Sequence, residues 1–267
     1  MLKLIATDMD GTFLTSQKTY NRERFKSLYQ KMKEQEVHFV VASGNQYYQL
    51  ASFFEEIKEE ISFVAENGAW VISKGQELFS ASISEATFKQ TLKILAEFPK
   101  VEVVVCGKNS AYIHQKESQA YFDEASMYYH HLKWVADFDA LYEQDQFLKF
   151  GLSFPSAEEV PDGLIQLNNR LKGELKPISS GGRDVDLILP GTHKASGIQL
   201  IQKHLDIPQT STVAFGDSGN DLEMIQYVEK GYAMKNAAPE LLAVSDCVTS
   251  LTNDESGVLE EIEILLK

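Results

Sequence analysis

Leu4-Ile5-Ala6-Thr7-Asp8-Met9-Asp10-Gly11-Thr12 is the stretch that decides the fold. Its short apolar run reads as a buried strand, and two carboxylates two residues apart stand at its carboxyl end. In an open α/β sheet, that edge is where ligands bind. Strand alternation would send Asp8 and Asp10 to opposite faces, so the chain turns at Asp10, and Gly11 supplies the freedom to turn. Two acids converging on one point repel each other, which implies a cation or a shared proton. With Mg²⁺ between them, one carboxylate can attack a phosphorus and the other can manage the proton. A calcium loop also carries Asp-x-Asp-Gly, but it wants Gly sixth and Glu twelfth. Counted from Asp8, Gly11 is fourth and Thr19 is twelfth, so that reading fails. A solvated acidic turn is the remaining alternative.

Outward from this point the amino-terminal part alternates strand and helix. Strands fit at Leu4–Thr7, Val37–Ala42 and Ser62–Ala65, with helical patterns over Arg22–Gln35 and Gln46–Ile57. That rhythm implies right-handed βαβ units and a parallel sheet. Trp70–Ser73 and Glu77–Ser80 around Lys74-Gly75 read as a hairpin. From Ser82 the grammar changes. Ser82 and Glu85 form a capping-box pattern ahead of a helix. Strands Val101–Cys106 and Ala111–His114, a helix near Ser118–His131 and a strand Leu148–Phe154 follow. Ser156 and Glu159 repeat the capping box before another helix, and strands Lys176–Ser179 and Val185–Leu189 close the region. After Pro190 the βα rhythm returns. Helices near Lys194–His204, from Asp221 and over Gly257–Leu266 flank strands Thr212–Phe215 and Gly231–Met234. The simplest account is an α/β fold with one Rossmann-like parallel-sheet core, residues 1–83 and 187–267. Residues 84–186 are then inserted as an α+β cap.

Three further motifs belong to the same edge. Ser43-Gly44-Asn45 ends the second strand just before a helix, where backbone N–H groups and a hydroxyl suit a phosphate, although such a pair also serves as a turn and N-cap. Lys194 opens a helix, an end that does not favour a cation. It is either a solvated lysine or one held there by a fixed negative neighbour. Gly216-Asp217-Ser218-Gly219-Asn220-Asp221 again ends an apolar strand in carboxylates. It lacks the dinucleotide glycine pattern and the Walker lysine, and its hard oxygen ligands suit Mg²⁺.

The order Asp8-x-Asp10-Gly11-Thr12, Ser43-Gly44, Lys194 and Gly216-Asp217-x-Gly219-Asn220-Asp221 resembles that of the haloacid dehalogenase superfamily. The position of the cap resembles the Cof-type branch, and the longer runs are similar to bacterial Cof-type sugar phosphatases. The resemblance covers essentially the whole chain. It implies Asp8 as nucleophile and metal ligand, and Asp10 as general acid/base giving the metal its backbone carbonyl. Asp217 is then the third protein ligand, and Mg²⁺ the cofactor. Ser43, Lys194 and Asn220 hold phosphate oxygens, Gly11 and Gly44 contribute backbone donors, and Asp221 orients Lys194 or a metal-bound water. Asn45 stands where many relatives carry Arg. Glu66-Asn67-Gly68 either touches substrate or forms an ordinary turn. The expected activity is hydrolysis of small phosphomonoesters, sugar phosphates first. The alternatives are phosphotransfer through the same Asp, and a non-catalytic module that binds phosphorylated metabolites.

Composition narrows the partners. A net charge of −14 over 267 residues argues against nucleic acid. No segment approaches the ~18 uninterrupted apolar residues of a membrane span. The amino terminus is too short before Asp8 for a signal peptide, and Cys106 and Cys247 match no metal spacing. The expectation is a cytoplasmic protein acting on a small phosphorylated metabolite, with no nucleic-acid or membrane partner. Oligomeric state is not legible. His130-His131 read as one packed and one solvated residue, and Tyr121, Phe122, Tyr128, Tyr129 and Trp134 as cap core. Arg183 is a candidate for reaching substrate hydroxyls.

Overall fold

A computed structural model describes residues 1–267. The elements run β1 (Leu4–Thr7), α1 (Arg22–Glu34), β2 (His38–Ala42), α2 (Tyr47–Ser52), β3 (Ser62–Ala65), β4 (Trp70–Ser73), β5 (Gln76–Ser80) and α3 (Glu85–Leu95). Then come β6 (Glu102–Gly107), β7 (Ala111–His114), α4 (Gln119–Ser126), β8 (Leu132–Val135), β9 (Phe147–Ser153), α5 (Val160–Leu171), β10 (Lys176–Gly181) and β11 (Asp184–Ile188). The chain ends with α6 (Lys194–Leu205), β12 (Thr212–Gly216), α7 (Leu222–Tyr227), β13 (Lys230–Ala233), α8 (Pro239–Leu242), β14 (Cys247–Val248) and α9 (Gly257–Leu265).

Two sheets result. The larger has strand order β14-β13-β12-β1-β2-β3-β4-β5. It is parallel from β14 to β3 and antiparallel through the β3-β4-β5 hairpins. This is a Rossmann-like core. β1 lies between β12 and β2 and is buried along its length, which is why Leu4, Ile5 and Ala6 run apolar without alternating. Phe25, Leu28, Tyr29 and Met32 bury one stripe of α1, and Phe25 and Phe39 meet at 5.1 Å between ring centroids. The smaller sheet, β10-β11-β9-β6-β7-β8, is antiparallel except for the β7–β8 pair. It is inserted between β5 and α6 and has its own apolar core around Phe88, Phe147 and Phe150. No helix is long and apolar enough to cross a membrane.

Several local expectations are corrected. α2 stops at Ser52, not Ile57. The Ser52 hydroxyl donates back to the Gln49 carbonyl at 2.7 Å, and Glu55, Glu56, Glu59 and Glu60 would crowd a helix C-terminus that disfavours negative charge. The cap of α3 is Ser84, which accepts from the Thr87 N–H, and not Ser82. Ile83 is drawn into the core and its N–H is committed to the Phe147 carbonyl. Ser156 precedes a short 3₁₀ turn without a side-chain cap bond, and α5 begins instead at Val160-Pro161, where Pro suits a first turn. α4 ends at Ser126, so His130-His131 lie outside it and lead into β8, an edge strand the sequence reading missed.

Candidate active site

The parallel strands deliver their carboxyl ends to one edge. At the end of β1, the Asp8 N–H donates to the Phe215 carbonyl at 3.0 Å, which fixes β1 against β12. The turn after it needs Gly11, whose φ is +73°. A Cβ there would meet Asp217 Oδ2 at 2.5 Å. The Thr12 hydroxyl donates to Asp217 Oδ1 at 2.9 Å, so the β1 turn and the β12 loop are tied directly.

Lys194 opens α6 and is wholly buried. His193 caps that helix by accepting the Ser196 N–H on Nδ1 at 3.1 Å. The Lys194 ammonium donates to Asp8 Oδ1 at 2.7 Å and to Asp221 Oδ1 at 2.6 Å. Burial alone would push its pKa down. Asp221 and Asp8 outweigh that and leave it raised. Of the two readings left open by the sequence, a solvated lysine or one held by a fixed negative neighbour, the second is the one found. Asp221 Oδ2 accepts the N–H groups of Asp217 and Ser218 at 2.9 and 3.1 Å, so both its oxygens are engaged.

Asp8, Asp217 and Asp221 have carboxylate oxygens within 4.8 Å of one another. Burial raises the Asp8 carboxyl well above its ordinary range despite Lys194. Burial and the Asp221 charge push Asp217 up to about 6. Three carboxylates against one ammonium leave an excess of negative charge at a point lined with hard oxygen donors. Those donors fit a divalent cation such as Mg²⁺. Because Asp221 is fully engaged, the side-chain oxygens left for a cation belong to Asp8 and Asp217. The Asp10 carboxylate accepts from Lys18 Nζ at 2.5 Å and Asn45 Nδ2 at 2.6 Å.

Ser43 and Gly44 follow β2. The Ser43 hydroxyl oxygen accepts the Asn45 N–H at 3.2 Å, and Asn220 donates to Asn67 Oδ1 at 3.1 Å. Asp8, Asp10, Gly11, Ser43, Gly44, Asp217 and Asn220 all border one cavity of about 410 Å³. Lys194 lies beneath it, hydrogen-bonded to Asp8. The far wall comes from the smaller sheet and α4.

That wall holds residues the sequence reading missed or misjudged. Tyr121, Tyr128 and Tyr129 border the cavity instead of serving as cap core alone, whereas Phe122 and Trp134 stack at 4.6 Å. Lys18 sits 5.0 Å from the Tyr128 ring centroid. Arg183 does not border the cavity. It pairs with Glu102 and Glu124 at 3.1 and 2.8 Å. Lys149 and Asp186 also line the cavity. Their signal was present in the sequence, as a lone charge inside each of two apolar strand runs, Phe147–Leu152 and Val185–Leu189, where charges are rare unless paired.

Residues 5–262 match the family of haloacid dehalogenase-like hydrolases, and the chain belongs to that family. It is 47% identical over 266 residues to the 5-amino-6-(5-phospho-D-ribitylamino)uracil phosphatase YbjI of Escherichia coli (strain K12), covering 100% of this chain and 97% of that protein. It is 26% identical over 296 residues to phosphatase YwpJ of Bacillus subtilis (strain 168), covering 99% and 100%. The structure of SMU.1108c from Streptococcus mutans UA159 superposes with a TM-score of 0.94 at 32% identity, covering 100% and 99%.

Proposed function

We propose that this protein is a Mg²⁺-dependent phosphatase of small phosphomonoesters, with phosphorylated sugars and sugar alcohols as its substrate class. The observation that carries the reading is Asp8. It is a buried carboxylate at the cavity floor, 2.7 Å from the Lys194 ammonium, with Asp10 two residues away. Asp8 attacks phosphorus in line and the leaving oxygen takes a proton from Asp10, giving an aspartyl-phosphate. Asp10 then takes a proton from the water that hydrolyses it. Lys194, Ser43 and Asn220, with the N–H groups of Gly11 and Gly44, hold the phosphoryl oxygens. Asp8, Asp217 and the Asp10 carbonyl would hold Mg²⁺, which supplies positive charge to those oxygens. Asp10 favours hydrolysis over phosphotransfer, because it stands where it can activate water.

Residues 84–186 act in this reading as the cap over the core formed by 1–83 and 187–267, and the cap selects the alcohol portion. The name of the relative at 47% identity makes a ribityl phosphate carrying an aminouracil ring the first candidate. Tyr121, Tyr128 and Tyr129 on the cavity wall would be the aromatic neighbours of such a ring. Unpaired Cys106 and Cys247 suit the reducing cytoplasm. The test is phosphate release from a panel containing that compound, hexose and pentose phosphates and p-nitrophenyl phosphate, with and without Mg²⁺. No release from any of them would overturn the proposal.

A further inference from the structure

A buried polar network joins the two sheets beneath the cavity. Lys149 lies on β9 with 2% of its side chain exposed, among Phe147, Leu148, Phe150 and Leu152. Its ammonium donates to the Gly44 carbonyl at 2.7 Å and to Asp186 Oδ1 at 2.8 Å. It also lies 3.2 Å from Glu66 Oε2 without a hydrogen bond between them. Asp186, on β11, accepts Asn67 Nδ2 on its other oxygen at 2.6 Å, and Asn67 Oδ1 accepts from Asn220 at 3.1 Å. From the smaller sheet, the network therefore reaches the loops after β2, β3 and β12. Two of the residues at its ends, Gly44 and Asn220, border the cavity beside Asp8.

A peptide unit is planar, and its C=O and N–H point in opposite directions. Lys149 grips the carbonyl of the Gly44–Asn45 peptide, and the N–H of that same peptide donates to Ser43 Oγ at 3.2 Å. With that lone pair occupied, the Ser43 hydroxyl hydrogen is free to point into the cavity, toward a phosphate oxygen. A substitution at Gly44 would close this space, since a Cβ would meet Asn67 Nδ2 at 3.1 Å and Asp186 Oδ2 at 3.3 Å.

We propose that Lys149 and Asp186 are positioning residues for the phosphate cradle: Lys149 sets Ser43 through the Gly44 carbonyl, and Asp186 sets Asn220 through Asn67. Neither reads the alcohol portion of the substrate. The inference rests on the function proposed above, and it puts control of the phosphate grip in the inserted module. Seating that module on the core completes the cradle.

The test uses the full chain and has two readouts. Inorganic phosphate, titrated calorimetrically in the presence of Mg²⁺, measures the cradle without turnover. A panel of phosphomonoesters measures kcat/KM. Lys149→Met should weaken phosphate binding by about tenfold, the scale of one lost hydrogen bond to a charged group. It should lower kcat/KM for every monoester by a common factor of up to about 10²-fold, as expected for a misplaced binding group. In a Ser43→Ala background, Lys149→Met should add little, because the two act in series. If Lys149→Met alone does not fold, Glu66→Gln/Lys149→Met carries the test with one buried ionisable group fewer. Three results would each overturn the proposal. They are unchanged phosphate affinity with a lowered melting temperature, a loss confined to one leaving alcohol, and full additivity with Ser43→Ala. A wild-type protein that binds phosphate but hydrolyses no monoester would overturn the phosphatase reading alone, and the titration would still judge Lys149.

Discussion

The Lys194 ammonium lies 2.7 Å from the Asp8 carboxylate, although 186 positions of sequence separate them. The contact pairs the residue proposed as nucleophile with the buried cation nearest to it, and Asp221 completes the triad at 2.6 Å. Removing one partner or the other has unequal consequences for the fold. Asp8→Asn leaves Lys194 paired with Asp221 and reduces the local excess of negative charge. We expect turnover to be abolished with no fall in melting temperature. Lys194→Met leaves the two buried carboxyls of Asp8 and Asp221 without their cation, and breaking such a pair costs about 3–5 kcal/mol. Thermal melts of the two variants beside the wild type check the asymmetry. Equal destabilisation would contradict it.

Asp10 accepts from Lys18 and Asn45, and these donors hold its carboxylate beside the cavity. Asp10→Asn keeps the shape and removes proton transfer. It should lower kcat by roughly 10²–10⁴-fold, the range for a missing general acid/base. Rapid quench should still find the phosphoryl group on Asp8. An adduct on any other residue would sink the assignment of the nucleophile.

Chelation should remove activity, and Mg²⁺ should restore it. Asp217→Asn should raise the Mg²⁺ concentration needed for half-maximal rate, because it removes one of the two carboxylates with free oxygens. Ca²⁺, with its looser shell of 6–8 oxygens, should compete by occupying the attacking oxygen of Asp8. Full activity after exhaustive chelation, with metal absence verified by elemental analysis, would refute the requirement.

The cavity of about 410 Å³ is walled by the smaller sheet opposite Asp8. Sugar and sugar-alcohol phosphates should therefore have higher kcat/KM than a folded phosphoprotein or a 5′-phosphorylated oligonucleotide, which the acidic surface also repels. Substituting Tyr128 should alter the ranking among small substrates, while changes on exposed helix α1 should not. A macromolecule as the better substrate would contradict this.

Burial pushes the Glu66 carboxyl up to about 7; Lys149 opposes that shift and Asp186 adds to it. The folded chain therefore keeps a proton on Glu66 that the unfolded chain, with a value near 4.5, has already released. The stability contributed by that proton is fully present below about pH 4.5 and is lost as pH rises toward about 7. Glu66→Gln removes the decline. The variant should gain on the wild type between about pH 5 and pH 8, by on the order of 2 kcal/mol. Denaturant midpoints at the two pH values measure it, and a constant difference would exclude Glu66 as the source.

Much of the core was legible because its causes are local. β1, β3, β4 and the start of α6, and β7 in the smaller sheet, fall where apolar runs and turn residues predict them, since strands buried on both faces are mostly apolar. Asp8-x-Asp10-Gly11 marked the strand end where the cavity lies, but the acids that cluster with Asp8 are Asp217 and Asp221, while Asp10 is held by Lys18 and Asn45. β8 and the true cap of α3 were not legible. Their positions depend on partners supplied elsewhere, β7 for the first and the Phe147 carbonyl that captures Ile83 for the second. The same limit applied to the site. The sequence left Lys194 as either a solvated lysine or a cation held by a fixed negative neighbour, and only the folding of α6 against the ends of β1 and β12 supplied Asp8 and Asp221. It carried Lys149 and Asp186 as isolated charges in apolar strands. Their meaning came from two sheets meeting, because a buried charge is tolerable only with its counter-charges and acceptors. For Lys149, those acceptors come from both sheets.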